Sequence, residues 1–164
     1  MKMKEVTIQG TPYERGCVYG QQCREEIGVS IRVYGALFQE LQGISWEKAR
    51  KLSEFYLEKT RDFAPDYVKE MQGIADGANL NLLDIAALNA RTEIMFAQLK
   101  DAQECTTLSL MPPATADGRV IAAQNWDFYS QLRDSLVIVH VHQEDKPNFV
   151  MVSEAGMIGG IGMN

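Results

Sequence analysis

The sequence has 164 residues, 46% of them hydrophobic and 23% charged, which is the composition of an ordinary globular domain. Sixteen Lys and Arg against 22 Asp and Glu leave a net charge of −6, which has the wrong sign for neutralising phosphates and argues against a nucleic-acid partner. No apolar run approaches the roughly 20 residues that span a bilayer, so we expect no membrane anchor and no signal peptide.

The cysteines are three in number, Cys17, Cys23 and Cys105, and they lack CxxC spacing. An odd number of cysteines without CxxC spacing argues against a disulfide framework and against a structural zinc site. We therefore expect the protein in a reducing compartment, the cytoplasm.

The chain opens with a predicted short strand, "EVTIQ", followed by a long helix from Pro12 to about Gly43. Thr11 is a suitable N-cap, and Glu14 falls where a capping box places its carboxylate. Glycines interrupt this helix at positions 16, 20, 28 and 35. Because glycine lowers helix stability, we expect all four to permit close approach of another backbone.

Three further helices are predicted before residue 100. An apolar stripe beginning after Ser45 steps by three, four or seven residues up to Pro65, and a second stripe stops near Gly77. Asn81 and Asp84 have the spacing of a capping pair and open a helix that runs to about Met95.

Strand patterns replace helical ones after residue 104. "TTLSL" and "RVIAAQNWDF" flank a turn at Asp117-Gly118, and "SLVIVHVH" is predicted to pair with "NFVMVSEAG". In "SLVIVHVH" the valines point one way and Leu136 and Ile138 the other, so we expect this strand to be buried on both faces. The fold class is therefore α+β, with a mainly helical segment 1–104 followed by antiparallel strands in 105–164.

Two groups of polar residues on the strands are candidates for chemistry. His140 and His142 share a strand face, but without a third ligand of matching spacing a structural role is favoured. In "AAQNWDF", strand alternation puts Asn125 and Asp127 on one side, and polar groups in an apolar strand need partners if they are buried.

Cys105 lies at the boundary between helices and strands. If the peptide bond before it is cut, the new α-amino group has a pKa near roughly 8 and can act as the base for its own thiol. The carboxylate of Asp127 could then hold that amine.

Five stretches carry a family resemblance: "GTPYERGCVYG", "NLLDIAALNARTE", "ECTTL", "AAQNWDF" and "SEAGMIGGIGMN". In order and spacing they resemble the acyl-coenzyme A:isopenicillin N acyltransferase family of N-terminal-nucleophile hydrolases, over essentially the whole chain. The resemblance implies two stacked antiparallel sheets between helical layers (αββα), of which this chain holds the N-terminal part. It also implies a precursor that cuts itself between Glu104 and Cys105.

By the same resemblance Cys105 is the nucleophile, both for the self-cleavage and for the acyl-enzyme formed from substrate. Asp127 matches the family aspartate that contacts the amine of that cysteine. The supporting positions of the motif are Thr106, Thr107, Asn125 and Trp126. Glu104 departs from the pattern, since the penicillin-making member has glycine there.

The predicted function is a self-processing N-terminal-cysteine amidohydrolase or acyltransferase. It acts on acylated amines or small peptides through an acyl-cysteine thioester. We expect no resident cofactor and no metal, with a coenzyme A thioester as acyl donor in the transferase reaction. The protein's own C-terminal segment, or self-association, is expected to complete the fold.

Two alternatives remain at this point. A penicillin V or bile-salt type amidase would share the nucleophile, but those enzymes usually carry an arginine shortly before the aspartate, where this chain has Gln124. A non-catalytic helical interaction protein would instead bury Cys105 as an inert thiol.

Overall fold

The computed structural model describes residues 3–96, 105–144 and 146–163. The helical part follows one strand and consists of β1 Lys4–Gln9, α1 Pro12–Gln22, α2 Arg24–Gln42, α3 Trp46–Phe63, α4 Pro65–Ala78, α5 Leu82–Asn89 and α6 Arg91–Phe96. The strands that follow are β2 Thr106–Leu110, β3 Ile121–Asn125, β4 Leu136–His142, β5 Phe149–Glu154 and β6 Ile161–Met163. The α+β class predicted from the sequence is confirmed.

Capping side chains start the helices where the sequence places them. Thr11 accepts from the backbone N–H of Glu14 while the Glu14 carboxylate accepts from the Thr11 N–H, which is a complete capping box. Asn81 and Asp84 form the corresponding box at α5, and Ser45 caps α3. These local hydrogen bonds satisfy backbone donors that a helix start otherwise leaves unpaired.

The predicted single helix from Pro12 to Gly43 is wrong in one respect, because it is interrupted at Cys23. This residue has φ −107° and ψ 20°, outside helical values, and separates α1 from α2. Neither glycine nor proline marks the break. The second helix does end at Gly43, whose φ of 64° is the left-handed conformation that glycine adopts most easily.

Helices α1 and α4 pack backbone to backbone. A Cβ at Gly16 would overlap the Glu70 carbonyl oxygen, and a Cβ at Gly20 would overlap that of Ile74. The close approach expected of the glycines is thus confirmed for these two. It is wrong for Gly28 and Gly35, where a Cβ would meet only side-chain atoms at ordinary contact distance.

A four-stranded sheet with the order β1-β4-β5-β6 lies against the helices. β1 runs parallel to β4 from Lys4 opposite Val137 onward, whereas β4 and β5 form the predicted antiparallel hairpin. The three β4 valines are buried, but the opposite face is only half-buried or exposed. Burial on both faces is therefore a wrong expectation for this strand, since within the described residues only the valine face joins the core.

The remaining strands form a separate antiparallel hairpin. β2 pairs with β3 from Thr106 opposite Asn125 to Leu110 opposite Ile121, around a turn in which Gly118 has φ 70°. All residues of the two strands except Leu110 are exposed. Nothing in the described part of the chain buries this hairpin.

The main core is built from α1, α2, α4 and α5 together with β1 and β4. Its fully buried side chains include Ile8, Tyr19, Phe38, Ile74 and Ile85. Among the described residues, no helix is both long and apolar enough to pass through a membrane.

Candidate active site

Cys105 lies directly before β2, and its side chain is exposed. Thr106 is paired with Asn125, and Thr107 with Gln124. The paired register ends with Thr106 opposite Asn125, so Cys105 and Trp126 are the residues next to that end on each strand. The hairpin therefore brings the start of β2 and the end of β3 next to each other.

Asp127 is exposed and lies two residues beyond the end of β3. The expectation that Asn125 and Asp127 share a strand face depended on continued alternation, and the strand stops at Asn125. Among the hydrogen bonds of the described residues, none joins Asp127 to Cys105. Glu104, the other half of the predicted cleavage point, falls outside the described residues.

An aromatic cluster connects the end of β3 to helix α2. Trp126 stacks on Phe128 with ring centroids 6.2 Å apart and planes inclined at 28°, and Phe128 in turn lies 6.5 Å from Tyr34. Tyr129 meets Phe128 edge-on at 5.0 Å. Such pairs prefer defined geometries, so the cluster anchors the chain that follows the hairpin onto the helical core.

Beneath this cluster lies a group of three polar side chains, the buried Tyr34 and Glu154 and the partly buried Arg91. The Tyr34 hydroxyl donates to Glu154 Oε2 at 2.6 Å. Arg91 Nε donates to the Tyr34 hydroxyl at 2.9 Å and lies 3.1 Å from the same carboxylate oxygen. Glu154 Oε1 is buried and has no hydrogen-bond partner in the described part of the chain.

Burial shifts the pKa values of Glu154 and Tyr34. It raises the pKa of Glu154 above its usual range, against the attraction of Arg91 and the hydrogen bonds from Tyr34 and Arg91, which lower it. Burial also raises the pKa of Tyr34, so the phenol stays protonated and remains a donor.

No protein-family model matches the chain. A curated protein of Emericella nidulans, the acyl-coenzyme A:6-aminopenicillanic-acid-acyltransferase 40 kDa form, is 31% identical over 162 residues. The match covers 99% of this chain. The chain is therefore similar to this acyltransferase over nearly its whole length. It spans 44% of the relative's length, so less than half of that protein is represented here.

The resemblance read from the five stretches is thereby confirmed at the level of the acyltransferase family. The roles of Cys105, Asp127 and the supporting residues stay predictions. What the structure adds is their arrangement: Cys105, Thr106, Asn125 and Trp126 lie at one end of the hairpin, whereas Thr107 pairs one step further in.

Three cavities surround this end of the hairpin. One of about 270 Å³ is lined by Arg91, Gln124, Trp126 and Glu154 among others. Another, of about 200 Å³, lies on the other side of Trp126 and is lined largely by apolar side chains, including Phe128 and Leu132. The third, of about 500 Å³, separates the hairpin from β5 and β6.

Sequence reasoning missed Tyr34, Arg91 and Glu154 as members of the site. Arg91 and Glu154 do stand inside two of the stretches that carry the resemblance, "NLLDIAALNARTE" and "SEAGMIGGIGMN". A charged residue directly after the apolar strand "FVMVS" is the signal that could have drawn attention to Glu154, because a buried charge needs partners.

The two histidines show no sign of a shared site. His140 Nε2 lies 3.8 Å from a Glu5 oxygen on the neighbouring strand, and the side chains of His140 and Glu5 are both exposed. Over the described ranges, no group of three His, Cys, Asp or Glu side chains is placed to hold a metal ion.

Proposed function

We propose that the protein is a self-processing N-terminal-cysteine amidohydrolase or acyltransferase that acts on acylated amines or small peptides. The observation that carries the proposal is the exposed Cys105 at the start of β2, in a chain whose relative is named an acyltransferase. The αββα fold of the N-terminal-nucleophile enzymes is part of the same proposal. Exposure of Cys105 also speaks against the non-catalytic alternative, which needs a buried thiol.

Processing begins with attack of the Cys105 sulfur on the carbonyl carbon of residue 104. A C–S bond forms as the C–N bond of the peptide breaks, and the freed α-amino group takes up the thiol proton. Water then hydrolyses the thioester, which gives residue 104 a carboxylate, regenerates the thiol and leaves Cys105 as an N-terminal residue.

Catalysis uses the same thiol with its own amine as base. The α-amino group takes the thiol proton, and the thiolate attacks the acyl carbon of the substrate, so that a C–S bond forms and the C–N bond breaks. The ammonium group returns the proton to the leaving amine. Water or an amine then attacks the thioester, its proton passes to the α-amino group, and the sulfur leaves. In the transferase reaction a coenzyme A thioester supplies the acyl group in place of the amide.

Asp127 and the supporting residues are assigned to holding this centre. The carboxylate of Asp127 orients the ammonium group, which requires it to reach the backbone nitrogen of Cys105. The hydroxyls of Thr106 and Thr107 support processing, and Asn125, opposite Thr106, orders the end of β3.

The exposed hairpin supports a further part of the proposal, that another segment completes the fold. Leu108, Val120 and Ile121 are each about half exposed, and the cavity of about 500 Å³ that Leu108 lines is mainly apolar. We assign this surface to polypeptide that continues beyond Asn164 in the full-length protein, with self-association as the competing outcome. A sedimentation measurement distinguishes them, because self-association makes the apparent mass rise with concentration.

We propose a cytoplasmic location because of the state of the cysteines. Cys17, Cys23 and Cys105 are all free, and none forms a disulfide. Free thiols are typical of reducing compartments.

The intact mass tests the self-processing. Wild type should yield two fragments, residues 1–104 and 105–164, whereas Cys105→Ala should remain at the 18.4 kDa of the uncut chain. Cys17→Ala is the matched control and should be cut like wild type. A wild-type chain that stays whole, with Cys105 unmodified by an activated acyl ester, would contradict the proposal.

A further inference from the structure

Helix α3 exposes large apolar side chains on its outward side. Its core side is buried at Ala49 and Leu57, whereas Leu52 is 39% exposed, Phe55 59% and Phe63 89%. Clusters of exposed apolar side chains mark interaction sites more often than free surface. The outward strip, here called the α3 face, consists of exposed residues three or four positions apart: Lys48, Lys51, Leu52, Phe55, Glu58, Lys59, Asp62 and Phe63.

The middle of the α3 face is an aromatic ring that is only partly covered within the chain. Phe55 meets the ring of Tyr56 edge-on at 5.4 Å, and the Lys59 ammonium lies 5.8 Å from the Phe55 ring centre. More than half of the Phe55 side chain nevertheless stays exposed. A further partner is therefore needed to remove this ring from water.

The charges on either side of Phe55 are segregated by sign. Lys48 and Lys51 precede it, and Glu58 and Asp62 follow it. Because residues three and four positions apart are neighbours on a helix, each pair sets like charges side by side, which destabilises an isolated helix. Among the ion pairs of the described residues, none includes any of these four side chains.

This pattern is complementary to itself when two α3 helices pack antiparallel about a two-fold axis at Phe55. A residue before Phe55 then lies opposite the residue at the same distance after Phe55 in the second copy. Lys48 and Asp62 are both seven positions from Phe55, and Lys51 and Glu58 are four and three positions away. At about 100° per residue, Lys51 and Glu58 are also turned to the same side of the helix, by roughly 40° and 60°.

We infer that the α3 face is the interface of a homodimer with two-fold symmetry, in which the α3 helices of two copies pack antiparallel across Phe55. Each charged pair occurs twice, and Phe55 contacts its own counterpart. A cavity of about 330 Å³, lined by Tyr56 and Phe63 among others, adjoins the face and continues its apolar character. The inference goes beyond the proposed function, because it uses no residue of the Cys105 centre.

Sedimentation equilibrium of the 164-residue Cys105→Ala chain tests the dimer without interference from self-cleavage. The apparent mass should rise with concentration from 18.4 kDa towards twice that value and no further. Lys51→Glu or Glu58→Lys alone should weaken the association at least about tenfold, since like charges then face each other at two symmetry-related places. The double variant Lys51→Glu/Glu58→Lys should restore it, because the pair is re-formed with its signs exchanged.

Two further variants and one mixture complete the design. Glu40→Lys is the matched control, since it makes the same charge change as Glu58→Lys on the exposed side of α2 and should leave the association unchanged. Phe55→Ala should weaken the dimer by removing its apolar centre. Circular dichroism checks that each variant folds. If the double variant does not fold, an equimolar mixture of the Lys51→Glu and Glu58→Lys chains decides, because opposite charges meet only in the mixed dimer.

The dimer is ruled out by a chain that stays monomeric at every concentration, which would leave the α3 face to another polypeptide. It is also ruled out if the rise in mass survives Lys51→Glu, because the association then uses another surface, such as the exposed hairpin. Failure of both the double variant and the mixture to restore the association would contradict the antiparallel pairing of Lys51 with Glu58.

Discussion

The packing of α1 against α4 makes a sharp prediction about Gly73. A methyl group there would lie 2.8 Å from the Cys17 backbone nitrogen and 3.0 Å from the Gly16 Cα, and closer still to the Tyr13 carbonyl oxygen. All three are backbone atoms of α1. They can move away only if the two helices separate, so Gly73→Ala should destabilise the fold.

Two opposing contributions set the magnitude. Alanine is favoured over glycine in a helix by up to about 1 kcal/mol. Overpacking of a close interface costs about 1–3 kcal/mol, and three simultaneous backbone contacts place this site at the upper end. The expected net loss is about 1–2 kcal/mol. At Gly28 the nearest atom to an added Cβ is Arg32 Nη1 at 3.6 Å, so Gly28→Ala should instead stabilise by up to about 1 kcal/mol.

Urea unfolding followed by far-ultraviolet circular dichroism measures both changes. With a slope near 2 kcal/mol/M, Gly73→Ala should lower the midpoint by about 0.5–1 M while Gly28→Ala raises it. The slopes should stay equal, so that midpoints report stability. A Gly73→Ala midpoint at or above that of the wild type would refute the backbone-to-backbone packing of α1 and α4.

Two further predictions concern titratable groups. Burial raises the pKa of Cys23 to about 12, so iodoacetamide should modify the exposed Cys105 first and Cys23 last, and a mass-spectrometric time course with Cys23 among the first would contradict this. The pKa of Glu154 is higher in the folded protein than in the unfolded chain. Glu154 therefore contributes its full stabilisation when the pH is below its unfolded-state pKa, and this stabilisation is lost as the pH rises through its folded-state pKa. The wild type should therefore lose stability relative to Glu154→Gln in denaturant titrations as the pH rises above the usual range of a glutamate pKa. Glu40→Gln, on the exposed face of α2, should show no such trend, and an equal trend in both variants would refute the assignment to Glu154.

Local signals made the helices and hairpins predictable. The capping boxes at Thr11 and Asn81 act within three residues, and alternation defines a strand over its own length. The break at Cys23 has no such signal, since no helix-breaking residue stands there. The sequence predicts that Gly16 and Gly20 lie close to another backbone. It does not predict which backbone, because their contacts on α4 lie more than 50 residues away in the chain.

The candidate site likewise has one part that local sequence signals predict and one part that they do not. The turn at Asp117-Gly118 places Thr106 opposite Asn125, so that part follows from strand pairing. The cluster of Tyr34, Arg91 and Glu154 joins residues separated by 57 and 120 positions. Only the packing of α2, α6 and β5 brings them together, and no short-range pattern encodes it.

The parallel pairing of β1 with β4 has a consequence for the proposed self-cleavage. β1 belongs to the segment before Cys105 and β4 to the segment after it, and their ladder runs from Lys4 to Gln9. A cut before Cys105 would therefore leave two polypeptides that share one sheet and one core. Folding of the whole chain is a unimolecular process, but reassembly of the separated pieces would be second order in concentration. The uncut chain thus has to reach its native structure first, and denaturation after the cut would become hard to reverse in dilute solution.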